Sequence, residues 1–448
     1  MRLTYDTIYN NVKKGLQKPV KNGKFIEIEG SRIPVAPKNI DDMGVSPEVL
    51  SNLILKLAYM LPKFTTRYAA EKLCIPLHII SVLLEQLQKD GLLEILGQPD
   101  PFNYRFTITD RGRERAARLL EISGYVGPAP VSLADYTTNL EWQFQHLPEP
   151  TPEKVKAAIS GMVMPKDDLH LAGLALISRR TLFIYGPPGN GKTMLGHLLH
   201  NAMEGHLWIP YCICIDNHII RIFDLQCHKA VPVELQEDMA RKIDHRWIRI
   251  RIPFVVVGGE LTLEALDLMY VPSLGYYEAP LHFKANGGIF LLDDFGCQHV
   301  EPYKLLSRWI LPLERQVDYL TLQTGQQLEV PFRQMLIIST NLNPKEVMMP
   351  AFLRRIGYRL QLKDPSPERY AEIFRRYAAG YNLAVQTELI EHLLARYHAE
   401  KRSLRCCEPR DLIERVVDIC RFQREPIEIN EKTLDLAWSG YFGNGLAD

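Results

Sequence analysis

One short segment of this 448-residue chain has the composition and spacing of a phosphate-binding loop. Residues 186–193 read Gly-Pro-Pro-Gly-Asn-Gly-Lys-Thr and satisfy the pattern G-x-x-x-x-G-K-[ST]. An apolar run at 181–185 precedes the segment and a helical stretch at 194–203 follows it, which is the strand–loop–helix context that the motif requires. Glycines allow backbone N–H groups to turn toward phosphate oxygens, and the helix N-terminus adds positive potential. The segment therefore predicts a nucleotide site.

Within this loop the side chains have separate predicted roles. Lys192 is expected to reach the β- and γ-phosphates, and the hydroxyl of Thr193 is expected to lie on Mg²⁺. ATP and Mg²⁺ are thus the predicted cofactors. The predicted nucleotide contacts are Gly186, Pro187, Pro188, Gly189, Asn190, Gly191, Lys192, Thr193 and Met194.

A second apolar run, 288–292, ends in two carboxylates, Asp293 and Asp294. Enzymes with this kind of loop need a carboxylate on a neighbouring strand to hold Mg²⁺. Asp293 is expected to hold the metal through water, and Asp294 to polarise the attacking water. The alternative is that both acids only cap a helix after the strand.

Further polar residues follow a third strand candidate, 336–340. Asn341 comes directly after it, and would lie near the γ-phosphate if this strand falls between the other two. Arg354 and Arg355 follow, where an arginine could enter a neighbouring subunit's site and speed phosphoryl transfer by roughly 10³–10⁵. Arg410 begins a C-terminal helix, where the helix dipole disfavours a cation unless it faces an anion.

With these residues in place, residues 155–448 resemble the AAA+ ATPases. The resemblance identifies Asp293 and Asp294 as a Walker B motif, Asn341 as sensor 1, Arg355 (or Arg354) as an arginine finger and Arg410 as sensor 2. It implies an α/β P-loop NTPase with a doubly wound parallel sheet and a C-terminal helical lid. It also implies a homo-oligomer, either a hexameric ring or a helical assembly.

The run from 318 to 331 resembles the hairpin that one AAA+ clade carries before sensor 1. The full chain is similar to bacterial proteins described as predicted ATPases with chaperone activity. Asp294 departs from the family, whose Walker B motif normally ends in Glu, and the shorter side chain predicts slow hydrolysis. The segment 207–257 is expected to extend the sheet with a hairpin.

The N-terminal part predicts a second folding unit. Three helices, two strands joined near Gly97, and a further helix beginning after Thr109 resemble a winged-helix domain. Such a domain binds duplex DNA, docks a protein or has a structural role, and its third helix, 76–89, offers only Lys89 as a basic group. The predicted division of the chain is as follows: 1–44 an extended arm, 45–123 a winged-helix domain, 124–152 a Pro/Gly linker, 153–365 the α/β nucleotide-binding domain, and 366–448 the lid.

Composition limits the remaining possibilities. Lys plus Arg and Asp plus Glu both total 53, which disfavours a general polyanion-binding protein. No apolar run reaches the ~18 residues of a membrane span. Eight cysteines are too few for a disulfide scaffold in a chain of this length, which predicts a reducing, cytoplasmic location. Cys212, Cys214, Cys227 and His228 are either buried structural groups or a metal cluster of unusual spacing.

These observations lead to three functional hypotheses. The first is an ATPase that remodels a protein partner recruited by the winged-helix domain. The second is a DNA-associated ATPase that assembles on duplex DNA, as transposition or replication helpers do. The third is a nucleotide-gated scaffold with little turnover.

Overall fold

The computed structural model describes residues 24–28, 31–233, 242–273, 275–344 and 350–443. The first 23 residues of the predicted arm lie outside this described part. The arm's remainder begins with an antiparallel hairpin, β1 (Phe25–Ile28) and β2 (Ser31–Pro34). Lys24 forms an ion pair of 2.8 Å with Asp135, which fastens this hairpin to a helix far along the chain.

Residues 47–122, here called the N-terminal module, contain four helices and a three-stranded antiparallel sheet of order β3-β5-β4. Ser46 begins the first helix by accepting a hydrogen bond from the Val49 amide, as the sequence predicted. The short strand β3 was not predicted. The elements are α1 (Pro47–Met60), β3 (Lys63–Thr65), α2 (Thr66–Leu73), α3 (Leu77–Lys89), β4 (Leu93–Asp100), β5 (Asn103–Ile108) and α4 (Asp110–Ile122).

The segment predicted to be an irregular linker, 124–152, instead contains β6 (Val131–Ser132) and the 14-residue helix α5 (Leu133–His146). The prediction was wrong because the prolines flank this helix rather than interrupt it. Ser132 caps the helix by accepting a hydrogen bond from the amide of Asp135. Both ends of the Gln143 side-chain amide bond to the backbone of Trp208, so the helix is packed firmly on the neighbouring strand.

A five-stranded parallel sheet forms the centre of the following part. Its elements up to the first insertion are α6 (Pro152–Ile159), α7 (Lys166–Ser178), β7 (Leu182–Tyr185) and α8 (Lys192–Asn201). An insertion follows, with β8 (His206–Pro210), β9 (Cys212–Ile215), β10 (His218–Arg221) and β11 (Trp247–Arg251). The chain then continues with β12 (Phe254–Val257), β13 (Met269–Val271), β14 (Tyr276–Glu278), α9 (Leu281–Lys284) and β15 (Ile289–Leu292).

The remaining elements of this part are α10 (Pro302–Arg315), β16 (Val317–Thr321), β17 (Gln327–Pro331), β18 (Met335–Thr340), α11 (Pro350–Leu353) and β19 (Tyr358–Gln361). The parallel sheet has the order β12-β15-β18-β7-β19. β18 lies between β15 and β7, as the interpretation of Asn341 required. β16 and β17 form the predicted antiparallel hairpin.

Helices cover both faces of the parallel sheet. Successive residues of each strand point to opposite faces, and both sets of side chains are apolar, so each face is buried. Leu182 and Ile184 pack in a core with residues of α6, α7 and α8. Phe183 packs in a second core with residues of α10, including the fully buried Trp309. The mixed α/β architecture with a parallel sheet is therefore confirmed.

In the described residues of 207–233 and 242–257, no hairpin extends this sheet, contrary to the prediction for 207–257. β8 and β11 form a separate two-stranded ribbon, and β9 and β10 join the sheet β13-β14-β10-β9-β6. Among the described strands of 207–257, β12 is the one that joins the parallel sheet, at its edge. β9 pairs instead with β6, a strand from the segment taken as a linker.

Four helices complete the described chain and are here called the C-terminal helices. They are α12 (Pro367–Gly380), α13 (Thr387–Ala399), α14 (Glu408–Gln423) and α15 (Glu431–Phe442). They share one apolar core, which includes Tyr370, Tyr397 and Trp438. Residues 362–366, here called the hinge segment, join them to β19.

Candidate nucleotide-binding site

The loop between β7 and α8 has a backbone that depends on its glycines. Gly186 has φ 142° and Gly189 has φ 80°, values that residues with a side chain rarely adopt. A Cβ atom on Gly186 would come within 2.1 Å of the carbonyl oxygen of Leu362. The loop is therefore pressed against the hinge segment on one side while its other side faces a cavity.

Lys192 is the first residue of α8 and its side chain is buried against the loop. Its Nζ donates hydrogen bonds to the carbonyl oxygens of Gly186 and Pro187, at 3.0 and 2.9 Å. Burial lowers the pKa of this ammonium group, and the nearby carboxylates of Asp294 and Asp293 oppose that effect. A cation thus lies among backbone groups at the start of a helix, as phosphate binding requires.

The two predicted metal residues come together at the edge of the loop. Thr193 donates a hydrogen bond from Oγ1 to Oδ2 of Asp293, at 2.7 Å. Hydroxyl and carboxylate oxygens are ligands that suit Mg²⁺, so the pair fits this ion. Ser339, which is fully buried on β18, donates to the other oxygen of Asp293. Ser339 was not predicted as a site residue, although it lies in the strand that ends beside Asn341.

Asp294 and Asn341 lie beside one another at the ends of neighbouring strands. Nδ2 of Asn341 donates to Oδ1 of Asp294 at 3.4 Å. Asp294 has φ 47°, a left-handed conformation that Asp adopts more readily than most residues. Both residues line the same cavity as the phosphate loop. A carboxylate and an amide therefore lie together beside the loop, as the sequence predicted.

The cavity has a volume of about 360 Å³, within the range of roughly 300–1,000 Å³ common for small-molecule sites. Arg410 lines it from the start of α14, and its guanidinium pairs with Asp411 at 2.8 Å. The C-terminal helices and the residues just before α14 supply additional walls that were not predicted from the sequence. These wall residues, together with others before α7, are Gly161, Met162, Val163, Ile373, Arg376, Tyr377, Cys406 and Cys407.

Arg354 and Arg355 do not line this cavity. Arg354 is exposed, and the side chain of Arg355 is 26% exposed. Nη2 of Arg355 lies 2.5 Å from Oε2 of Glu314, the penultimate residue of α10. The pair is therefore at the surface, separate from the phosphate loop of its own chain.

Two of the four residues considered as a metal cluster, Cys212 and His228, have hydrogen-bond partners within the protein. The Cys212 thiol donates to the hydroxyl of Tyr125 at 3.2 Å. The two ring nitrogens of His228 lie 3.0 Å from the Asp224 amide nitrogen and 2.9 Å from the carbonyl oxygen of Lys284, so both are engaged. Within the described residues, no three His, Cys, Asp or Glu side chains are grouped so that they could hold a metal ion. Cys212 and His228 therefore make hydrogen bonds within the protein.

Comparisons with known proteins add little to this geometry. A family model described as a domain of unknown function, DUF8689, matches residues 366–440. The comparison with curated protein sequences gave no match. None of the helices in the described part of the chain combines the length and apolar composition needed to cross a membrane.

Solved structures show a loose likeness. A mutant of RuvB from Thermotoga maritima is 14% identical, with a TM-score of 0.36 over 67% of this chain and 76% of that chain. NtrX from Brucella abortus in complex with ATP is 15% identical, with a TM-score of 0.39 over 72% and 62%. Its complex with ADP is 14% identical, with a TM-score of 0.40 over 66% and 59%. Likeness at this level carries no conclusion about function.

Proposed function

We propose that this protein is an ATPase of the AAA+ type, which binds ATP with Mg²⁺ in the cavity beside the phosphate loop. One observation carries the proposal. Residues 188–193 of the phosphate loop line a single cavity together with Asp294, Asn341 and Arg410, while Thr193 and Asp293 are hydrogen-bonded at its edge. These residues come from distant parts of the chain, and each one supplies a group that ATP hydrolysis needs.

The chain's own groups divide this work. The loop amides and Lys192 bind and orient the phosphates. Thr193 and Asp293 would hold Mg²⁺, which neutralises phosphate charge when bound. Asp294 is placed to orient water and accept its proton, and the amide of Asn341 fixes the position of that carboxylate. A helical lid formed by the C-terminal helices would close the site against bulk water.

The surface position of Arg355 supports action on a neighbouring subunit. In its own chain this guanidinium lies outside the cavity and is held by Glu314 near the end of α10. We therefore propose a homo-oligomer, a ring or a helical assembly, in which each subunit completes the next subunit's site. The cytoplasm is the expected location.

The N-terminal module supports a protein partner better than DNA. In a winged-helix domain, α3 would enter the major groove. Leu77 and Val82 are exposed on this helix, and the ammonium of Lys89 is 2.7 Å from the carboxylate of Glu85. Phe102, between β4 and β5, is 77% exposed. The exposed side of α3 thus carries two apolar side chains among polar ones, and its lysine is paired with a glutamate. This helix offers few cations to a phosphate backbone, so we propose that the ATPase remodels a protein recruited here.

The first experiment tests nucleotide binding by isothermal calorimetry and by phosphate release. Lys192→Ala is expected to weaken ATP binding by at least ~100-fold, because a buried charge-assisted contact is lost. Lys432→Ala, which removes an exposed lysine at the start of α15, is the matched control and is expected to behave as the unmodified protein. Unimpaired ATP turnover in the Lys192→Ala protein would refute the site.

A second experiment tests the shared site. Arg355→Ala is expected to keep ATP affinity and to lose hydrolysis, because the neighbouring subunit's site lacks its guanidinium. Asp294→Ala is expected to lose hydrolysis because its own site lacks the carboxylate that orients water. Mixed in varying ratios, the two inactive proteins are expected to regain partial activity, since a mixed interface can contain one intact site. Absence of rescue at every ratio would show that Arg355 does not act on a neighbour.

The DNA-associated alternative has one observation in its favour, a set of exposed arginines on and after β5. It predicts ATPase activity that rises with duplex DNA and falls steeply with salt. Activity that is unchanged across DNA concentrations would remove this alternative. The arginines concerned are Arg105, Arg111, Arg113, Arg115 and Arg118.

A further inference from the structure

Asn190 is a polar residue of the phosphate loop with only 1% of its surface exposed. Asn190 lines the nucleotide cavity, and both ends of its side-chain amide are hydrogen-bonded to distant segments. Nδ2 donates to Oδ1 of Asp364 in the hinge segment at 2.8 Å, and Oδ1 accepts from the backbone amide of Cys406 at 3.2 Å. One side chain thus joins the loop to two segments that lie 174 and 216 residues further along.

Packing around Asn190 holds the same three segments together. A Cβ atom on Gly189 would meet Sγ of Cys407 at 2.7 Å, so the loop touches the residues before α14 directly. Arg405 donates from Nη1 to the same Asp364 oxygen at 3.3 Å. The backbone oxygen of Asp364 in turn accepts from Arg369 on α12 at 3.1 Å. The hinge carboxylate is therefore the centre of a network that includes the loop and the C-terminal helices.

We propose that Asn190 is a positioning residue that ties the phosphate loop to the C-terminal helices, so that nucleotide in the cavity orders residues 401–407. The inference rests on the proposed function, because it assumes that ATP binds beside the loop. A buried amide that loses its partners is costly, since water cannot replace them there. A movement of the loop as it closes on phosphates must therefore carry the hinge segment and residues 401–407 with it, or break both hydrogen bonds.

The cavity gives this link a consequence for affinity. Cys406, Cys407 and Arg410 belong to its walls, as do Ile373 and Tyr377 of α12. Nucleotide therefore touches both the loop and the C-terminal helices. Because Asn190 joins the loop to the segments beside the C-terminal helices, part of the free energy of nucleotide binding depends on its hydrogen bonds to Asp364 and Cys406. This part is separate from any contact between Asn190 and the nucleotide.

The test uses the full-length protein and measures ATP and ADP affinity together with hydrogen exchange. Asn190→Ala is expected to weaken both nucleotides about tenfold, the effect of losing hydrogen bonds that together are worth ~1.4 kcal/mol. In the unmodified protein, ATP is expected to slow amide exchange in the loop and in 401–407. In Asn190→Ala the loop is expected to keep this protection while 401–407 loses it.

A matched control and a rescue separate positioning from general stability. Asn201→Ala removes an exposed asparagine at the end of α8 and is expected to change neither measurement. Asn190→Asp places a carboxylate against Asp364 and is expected to uncouple the segments. Combining Asn190→Asp with Asp364→Asn restores one donor and one acceptor in exchanged positions, and is expected to recover most of the affinity and the protection of 401–407.

The outcomes distinguish this inference from the proposed function. If the unmodified protein binds no ATP, the proposed function fails and the inference with it. If it binds ATP, but residues 401–407 respond alike in the unmodified and Asn190→Ala proteins, only the inference is overturned. If Asn190→Ala does not fold, the exchanged pair decides: failure to recover protection relative to Asn190→Asp overturns the positioning role.

Discussion

Lys56 is a buried lysine whose charge should cost the N-terminal module stability at neutral pH. It lies on α1 with 3% of its surface exposed, and its Nζ donates to the carbonyl oxygen of Ser123 at 3.0 Å. Burial lowers the pKa of this ammonium group from 10.5 to about 8, against a smaller opposing effect from Cys212. We expect Lys56→Met, which keeps the length of the side chain, to stabilise the module.

The magnitude follows from the two pKa values. The difference between 10.5 and about 8 corresponds to about 3 kcal/mol, at ~1.4 kcal/mol for each pKa unit. Losing the hydrogen bond to Ser123 costs roughly 1 kcal/mol, which leaves a gain of about 2 kcal/mol at pH 7. Between pH 8 and 10.5 the unfolded chain holds the proton that the folded chain has lost. The free energy of unfolding of the unmodified protein should therefore rise with pH in that window, and the gain from Met should disappear.

Hydrogen exchange of the α1 amides measures this local stability at pH 7 and again near pH 10. Lys63→Met, a substitution at an exposed lysine of β3, is the matched control and is expected to change stability by less than ~0.5 kcal/mol at both pH values. A Lys56→Met protein that is equally destabilised at pH 7 and pH 10 would show that burial of this charge costs nothing, and would refute the reasoning.

Three further predictions concern the site. Gly186→Ala should abolish ATP binding in a calorimetric titration, because the new Cβ would lie 2.1 Å from the carbonyl oxygen of Leu362 and the residue has a φ of 142°. Gly440 has open space around it, so Gly440→Ala should bind ATP normally. Equal ATP binding by the two variants would contradict this prediction. Ser339→Ala removes a hydrogen bond to the carboxylate of Asp293. The Mg²⁺ concentration for half-maximal ATPase activity should therefore rise several-fold, while the affinity for ADP without metal stays constant. An unchanged Mg²⁺ requirement would argue against the metal site. Glu314→Gln should alter the ATPase rate by no more than about fivefold, since exposed ion pairs are worth ~0–1 kcal/mol. Arg355→Ala should lower the rate by at least ~10³-fold. Similar losses in the two variants would mean that Glu314 has its own role in turnover.

Local signals in the sequence were sufficient for many elements. The helix that begins after Ser46 was predicted from its N-cap and proline, and its side chain makes the expected hydrogen bond. The strands that end at Tyr185, Leu292 and Thr340 were predicted from apolar runs and lie side by side in the parallel sheet. Such features depend on neighbours within a few residues, so the sequence displays them directly. The domain boundaries and the roles of the site residues stay predictions.

Proline content was a misleading local signal between 124 and 152. The helix Leu133–His146 forms there because Tyr136 and Leu140 are buried against strands of the insertion and Gln143 bonds to Trp208. These partners lie more than sixty residues away along the chain, so a local sequence pattern could not predict them. Tertiary packing therefore decided this element.

The amino-acid sequence alone specifies the residue types of the loop at 186–193 and the order in which the acids, the asparagine and the arginines follow it. Which of these groups meet depends on how the chain packs. The tertiary structure paired Ser339 with Asp293, held Arg355 on Glu314, and engaged Asn190 with Asp364 and Cys406. The physical reason is that a motif fixes backbone shape through its own residues, whereas a buried polar side chain takes its partner from whichever distant segment the packing of the sheet and the C-terminal helices brings within reach.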